Sequence, residues 1–95
     1  MKLVSVDKSS NKNKKYVATF DLGENKTKKV HFGQKGSSTY LDHKDAKKRD
    51  AYLARHKVNE NWGDATSAGS LSRYILWNKS TITASITDFK KRFNL

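Results

Sequence analysis

The segment His31–Asp45, which reads HFGQKGSSTYLDHKD, holds many of the side chains in this sequence that could do chemistry. It contains two glycines three residues apart, a run of hydroxyl side chains, two histidines and two aspartates. Such a set could bind phosphate, or it could hold a metal ion or catalyse acid–base chemistry. The alternative is a turn that joins a small sheet to a helix.

A phosphate-binding loop is the first interpretation of this segment. Glycine-rich loops before a helix bind phosphate through their backbone amides. A P-loop places four residues between its glycines, and the dinucleotide fingerprint needs three spaced glycines. Gly33 and Gly36 fit neither spacing. We therefore interpret both as turn residues that end a strand.

Metal binding or catalysis is the second interpretation. His43 and His56 are thirteen residues apart. On one helix they would be rotated by about 220° from each other, so they cannot chelate an ion from one face. Asp42 fits a helix N-cap with Asp45 close behind it, which explains the acidic residues without a metal. We predict no catalytic residue, no metal and no cofactor, and a small metal-dependent nuclease using His43 and Asp45 is a minor alternative.

The charge of the chain favours a polyanionic partner. Twenty Lys and Arg residues stand against nine Asp and Glu residues, which gives a formal net charge of +11. Such an excess repels itself in a folded protein and attracts nucleic acid. The sequence has no cysteine, and it has no apolar run near the length of a membrane span. We expect an intracellular protein without a membrane partner.

A helical pattern from about His43 to Val58 carries the predicted binding surface. At 100° per residue, Lys44, Lys48 and Arg55 form a basic ridge roughly 17 Å long, with Tyr52 at its edge. A solvated helix face is the alternative. Two lysine-rich loops lie at opposite ends of the first alternating strand, and either could extend the ridge. The predicted nucleic-acid contacts are Lys12, Lys14, Lys15, Lys28, Lys29, Lys44, Lys48, Tyr52 and Arg55.

The remaining patterns predict an α+β fold. "KKYVATF" and "KKVHF" alternate as strands do, after a short apolar strand around Leu3. "SLSRYILWN" is apolar nearly all round and predicts a buried central helix, and "TITASITDFKKRF" predicts an amphipathic helix. We expect a small antiparallel sheet of two or three strands followed by three helices packed on it. The prediction is a single compact domain over residues 1–95, with strands and turns in 1–33 and helices in 42–95.

The two tryptophans are interpreted differently. Trp77 lies on a predicted core stripe and is expected to pack in the core. Trp62 lies in a Gly- and Asp-containing loop and is either a lid over the core or an exposed stacking residue. The lid is favoured because large aromatic side chains are highly buried on average.

Several short motifs after residue 28 are shared with a known group of proteins. They are His31–Gly33, His43–Asp45, Tyr52 with Arg55 and His56, Asn61–Trp62, Leu71–Arg73, Leu76–Lys79 and Arg92–Phe93. With these motifs the chain resembles a family of small basic proteins encoded by nucleocytoplasmic large DNA viruses, the giant viruses of algae and protists. The resemblance implies the host-cell cytoplasm or the viral factory as the location, with the virion as a further setting.

The resemblance also draws attention to polar residues outside a simple core pattern. Arg73, Trp62, Trp77 and His56 are assigned a structural role at the junction of the helices. Arg73 is expected to hydrogen-bond to loop carbonyls or to Asp64.

Charge, pattern and resemblance together predict a small binding module. It would contact nucleic acid, DNA above all, non-specifically through phosphates. The alternative is a structural virion or capsid-associated protein that acts through contacts with another virion protein.

Overall fold

The sheet comes first along the chain, and the helices follow it. The structure is a computed structural model that describes residues 1–57 and 62–95. Its strands are β1 Lys2–Lys8, β2 Lys14–Gly23 and β3 Lys26–Gln34. Its helices are α1 Tyr40–His43, α2 Ala46–His56, α3 Ala68–Leu71, a π-helical segment Ser72–Leu76, and α4 Ile82–Phe93. The predicted α+β fold is confirmed. Val58 and Asn61, which the sequence analysis placed in a helix and in a motif, lie outside the described residues.

The three strands form one antiparallel sheet with β2 in the centre. Side chains alternate between the two faces, and one face is apolar. On that face Tyr16 lies opposite Phe32, and Phe20 lies opposite Leu3. Phe20 and Phe32 are completely buried. This inner face of the sheet is therefore where the helices pack.

The helix from α3 through the π-helical segment fills the core above the inner face. Leu71, Ile75 and Leu76 are buried there, together with Phe89 of α4. The prediction of a buried central helix is confirmed. The helix ends differently from a regular one, because the Trp77 N–H donates to the Ser72 carbonyl at 3.1 Å, five residues back.

The predicted helix beginning at His43 is wrong at its N-terminal end. Lys44 has φ of 54°, in the left-handed region, and its N–H donates to the Tyr40 carbonyl. The chain then starts α2 with Asp45 as N-cap, whose side chain accepts from the Lys47 N–H at 2.9 Å. Asp42 is instead in the first turn of α1, where its carboxylate accepts from the Thr39 N–H at 2.7 Å. Lys44 is thus the C-cap of α1 and Asp45 the N-cap of α2, so this region forms two helices.

The two glycines of the opening segment have different roles. Gly36 lies in the turn after β3, as predicted, with φ of 88° and no heavy atom within 4 Å of where a Cβ would be. Gly33 is still within β3 and has φ of 78°. A Cβ on Gly33 would lie 2.8 Å from Cδ1 of Leu76. Gly33 therefore lets the sheet approach the central helix closely.

The helices described within residues 1–57 and 62–95 have at most 12 residues. None of them combines the length and the hydrophobicity that are needed to cross a bilayer.

Candidate nucleic-acid interface

A cleft of about 470 Å³ opens between the end of the sheet and the helices. We call it the helix-side cleft. Lys14 lines it from the start of β2, and Tyr52, Arg55 and His56 line it from α2. Ser37, Ser38 and Thr39 of the opening segment form part of its wall, and Trp77 closes it on the side of the central helix. No carboxylate is among the described residues of its lining.

A second cleft of about 420 Å³ lies beside the first, and we call it the strand-side cleft. Four lysines line it, together with Ser9, Tyr16 and Gly36. The lysines are Lys8, Lys14, Lys15 and Lys35. Lys14 lines both clefts, so the two are neighbours that share one wall. The described lining of this cleft also has no carboxylate.

Antiparallel topology explains why these cations meet. β1 ends at Lys8, β2 begins at Lys14 and β3 ends at Gln34, so all three points lie at the same end of the sheet. The Lys35 N–H donates to the Asn13 carbonyl at 3.1 Å, which joins the turn after β3 to the turn between β1 and β2. Arg55 reaches the same place from α2. We call Lys8, Lys14, Lys15, Lys35 and Arg55 the groove cations.

The groove cations are not neutralised by carboxylates of the described residues. The ion pairs within residues 1–57 and 62–95 are Arg49 with Asp50 and Arg92 with Asp88, and neither involves a groove cation. Among the groove cations, Lys15 contributes to lowering the pKa of Asp42. The Thr39 backbone N–H is the main cause of that lowering, and the charge of Lys15 adds to it. The positive potential of the groove is therefore free to act on an external anion.

An aromatic stack forms one side of the helix-side cleft. The ring of Tyr52 lies 4.1 Å from the ring of His56 on α2 and 4.2 Å from the ring of Trp77. His43 lies 5.4 Å from Trp77 and extends the cluster. Trp77 and Tyr52 are both partly buried. The rings of α1 and α2 thus pack against the end of the central helix, and the ring of Tyr52 is already in contact with two other rings.

Arg73 and Trp62 lie on another part of the helical layer. The Arg73 guanidinium carbon is 5.5 Å from the ring centroid of Trp62 and 4.8 Å from that of Tyr74. Its Nη1 donates to the Trp77 carbonyl at 3.1 Å, which confirms the predicted carbonyl acceptor. Asp64 is not the partner that was predicted as the other choice, since its carboxylate accepts from Thr66. Burial lowers the pKa of Arg73, and the nearby Arg92 and Arg49 lower it further. These contacts support the structural role predicted for Arg73.

The structure does not contain the predicted basic ridge. Its clustered cations line the two clefts instead, and we call the two clefts together the groove. Lys44 lies between two helices and not on α2, so it cannot share a helix face with Lys48 and Arg55. Lys48 and Lys12 are exposed and line neither cleft. Of the predicted contacts, the structure brings together Lys14, Lys15, Tyr52 and Arg55.

Lys28 and Lys29 lie away from the groove. Lys28 is opposite Phe20 in the register, and its Nζ donates to the Thr66 hydroxyl at 3.4 Å. Lys29 is opposite Thr19 on the outer face of the sheet. Of the two lysine-rich loops, the one that precedes β2 is therefore the one that joins α2.

Sequence reasoning missed Lys8 and Lys35. Lys8 stood at the start of a polar tract and Lys35 between two glycines of a predicted turn, so neither was part of a local pattern that indicated binding. The predicted antiparallel strand order could have indicated both lysines, because two successive hairpins place the end of β1, the start of β2 and the end of β3 together.

Within residues 1–57 and 62–95, no group of three or more His, Asp or Glu side chains is arranged to hold a metal ion.

Comparison with known proteins gives one match. Residues 4–56 match the model of a family described as a family of unknown function, DUF5754. The matched range runs from β1 to the end of α2 and includes all of the groove cations. No curated protein and no solved structure matches the chain. The resemblance to the giant-virus proteins stays a prediction. Because the match covers more than half of the 95 residues, the chain belongs to the DUF5754 family.

Proposed function

We propose that this protein binds nucleic acid without sequence preference, by placing backbone phosphates against the groove cations. The observation that carries the proposal is the meeting of Lys8, Lys14, Lys15, Lys35 and Arg55 around two adjoining clefts with no described carboxylate in their lining. Binding of phosphates by Lys and Arg releases counterions from the nucleic acid, and this release drives non-specific association.

The origin of the cations adds to the argument. They come from three strand ends and one helix, so the fold holds them in place although each lysine side chain is flexible. Keeping like charges this close costs electrostatic free energy in the unliganded protein. A polyanion in the groove would relieve that repulsion, whereas a surface that served only solubility would gain nothing from such clustering.

The aromatic side chains of the helix-side cleft support the lack of sequence preference. Tyr52 packs between Trp77 and His56, so it offers no free ring face on which a base could stack. Recognition of a particular base needs hydrogen bonds to its edge from side chains placed for that purpose. The helix-side cleft also presents Lys14, Arg55 and several hydroxyl side chains, which suit phosphate oxygens.

An exposed apolar patch around Trp62, or stable self-association in solution, would favour the alternative of a structural virion protein. Trp62 is partly buried, and the Arg73 guanidinium lies against its ring. This observation does not favour the alternative.

Fluorescence anisotropy of a labelled oligonucleotide tests the proposal. Titration at several NaCl concentrations should give a log–log slope between about −3.5 and −4.5, the values for five phosphates on a single strand and on a duplex. An oligonucleotide of scrambled sequence is the control and should bind with the same affinity. Absence of binding at low salt, or an affinity that does not change with salt, would contradict the proposal.

A further inference from the structure

Tyr16 lines the groove but was not among the predicted nucleic-acid contacts. It differs from Tyr52, the aromatic residue that was predicted to make such a contact. It is an aromatic side chain that lines the strand-side cleft together with Lys8, Lys14, Lys15 and Lys35. Phe32 contacts its ring from one side, with ring centroids 5.9 Å apart and an interplanar angle of 29°. No ring of the described residues contacts it from another side, and no described group hydrogen-bonds to its hydroxyl. Tyr16 is partly exposed, so part of its side chain is open to a ligand in the cleft.

The shape of the groove decides between a duplex and a single strand. The phosphates of a duplex lie on the outside of a stiff cylinder and suit a convex or flat row of cations. The predicted ridge on one long helix would have been such a row, but Lys44 lies outside α2. The groove cations instead face two concave clefts that meet at Lys14. A flexible single strand can bend its phosphates into both clefts, and a duplex can approach only their rims.

We propose that the groove takes single-stranded nucleic acid, with one base against the side chain of Tyr16 and the adjacent phosphates on Lys14 and Arg55. This inference rests on the proposed function, and it specifies the form of nucleic acid that is bound. A cationic groove that follows the backbone, combined with an aromatic side chain under a base, is how proteins hold single strands without reading their sequence. Tyr16 has this role and Tyr52 does not, because both sides of the Tyr52 ring are covered by other rings.

The test compares two forms of one oligonucleotide and three forms of the protein. Wild-type protein should bind a labelled single strand at least about tenfold more tightly than the duplex of the same length at the same salt. Tyr16→Leu should weaken single-strand binding by about fivefold or more, the range for loss of one stacked base. It should leave the weaker duplex binding unchanged. Tyr16→Phe keeps the ring and should bind as the wild type does.

A control variant and a second measurement distinguish a loss of binding from a folding defect. Val17→Ala changes the neighbouring residue, which points to the outer face of the sheet, and should leave both affinities unchanged. An oligonucleotide with 5-iodouracil should crosslink to Tyr16 of the unmodified protein on irradiation, which mass spectrometry of the peptides would locate. This measurement needs no variant, so it also decides the case in which Tyr16→Leu does not fold.

The possible failures are distinct. Duplex binding as tight as single-strand binding, unchanged single-strand affinity of a folded Tyr16→Leu, or a crosslink only outside the strand-side cleft would overturn the inference and leave the proposed function standing. Binding to neither form would contradict the proposed function itself.

Discussion

The rings of Tyr52 and Trp77 lie parallel, with centroids 4.2 Å apart and an interplanar angle of 4°. This contact joins α2 to the end of the central helix. Helix α2 has no fully buried residue of its own. Its other described link to that region is the Arg49 side chain, which donates to the Asn78 carbonyl at 3.4 Å. We therefore expect the contact between Tyr52 and Trp77 to help hold α2, and with it Arg55, beside the groove.

Removal of the Tyr52 ring should loosen α2. Tyr52→Ala loses two ring contacts and apolar burial, and should lower the free energy of unfolding by about 2 kcal/mol. Hydrogen exchange of the amides of Ala46–His56 should become faster than in the wild type, while exchange in β2 changes less. Tyr52→Phe keeps the ring and is the control, with a smaller effect. Unchanged exchange in α2 of Tyr52→Ala would show that other contacts hold this helix.

Gly33 should be much less replaceable than Gly36. Both have positive φ, so an alanine at either position adopts the same unfavourable backbone region. At Gly33 the new Cβ would also lie 2.8 Å from Leu76, which is buried and has little room to move. Urea denaturation should show Gly33→Ala to be less stable than Gly36→Ala by about 1–3 kcal/mol, the cost of overpacking. Equal stabilities of the two variants would mean that Leu76 moves without cost.

Arg73 should stabilise the helical layer through its planar guanidinium. That group lies against Trp62 and Tyr74 and donates to the Trp77 carbonyl. A lysine keeps the charge but cannot make these contacts together, so Arg73→Lys should lower the free energy of unfolding by about 1–2 kcal/mol.

Arg92 is the matched control for this prediction. It also lies over the ring of Tyr74, at 4.5 Å, but 47% of its side chain is exposed. Arg92→Lys should therefore cost less than Arg73→Lys in the same denaturation experiment. A larger loss for Arg92→Lys would contradict the structural role assigned to Arg73.

Acid should destabilise the fold partly through Asp42 and Asp88. The Thr39 backbone N–H lowers the pKa of Asp42, and the Asn78 side-chain amide lowers the pKa of Asp88. A carboxyl whose pKa is lower when folded stabilises the fold above its unfolded pKa, near 3.8. That stabilisation is lost as the pH falls through the folded pKa.

Asparagine variants test this pH dependence. Asp42→Asn and Asp88→Asn should each be less stable than the wild type at pH 7, and the difference should shrink below about pH 4. Urea midpoints between pH 7 and pH 2.5 would measure it. Asp50→Asn is the control, because Asp50 is largely exposed and pairs only with Arg49 among the described residues. A difference that stays constant with pH would exclude the proposed hydrogen bonds as its cause.

Local patterns predicted the sheet and the core well. Tyr16, Ala18 and Phe20 recur at every second position, and this period is decided by neighbours along the chain. The buried helix around Ile75 was likewise visible because Leu71, Tyr74, Ile75, Leu76 and Trp77 are apolar and spread around the helix. In both cases the spacing of the apolar residues was enough to indicate the buried side.

The helix boundary at Lys44 and the groove could not be predicted in the same way. Asp42 and Asp45 are both acceptable N-caps, and only the structure shows that Asp45 caps α2 while Asp42 lies in the first turn of α1, whose N-cap is Thr39. Lys8 and Lys35 are far apart in sequence and meet because two hairpins bring strand ends together. From the sequence, Tyr52 could either contact a ligand or pack against other aromatic rings. The structure shows that it packs against Trp77.

Binding of nucleic acid by the groove cations is tested most directly by two double variants that remove the same amount of charge. Lys14→Gln/Arg55→Gln changes the groove, whereas Lys29→Gln/Lys91→Gln changes exposed lysines that line neither cleft. Both lower the net charge by two, and the measurement is the salt dependence of binding to a single-stranded oligonucleotide. The groove variant should bind more weakly and should lose about 1.4 from the slope, whereas the control should stay close to wild type. Equal weakening by the two variants would show that net charge, and not the groove, is what nucleic acid responds to.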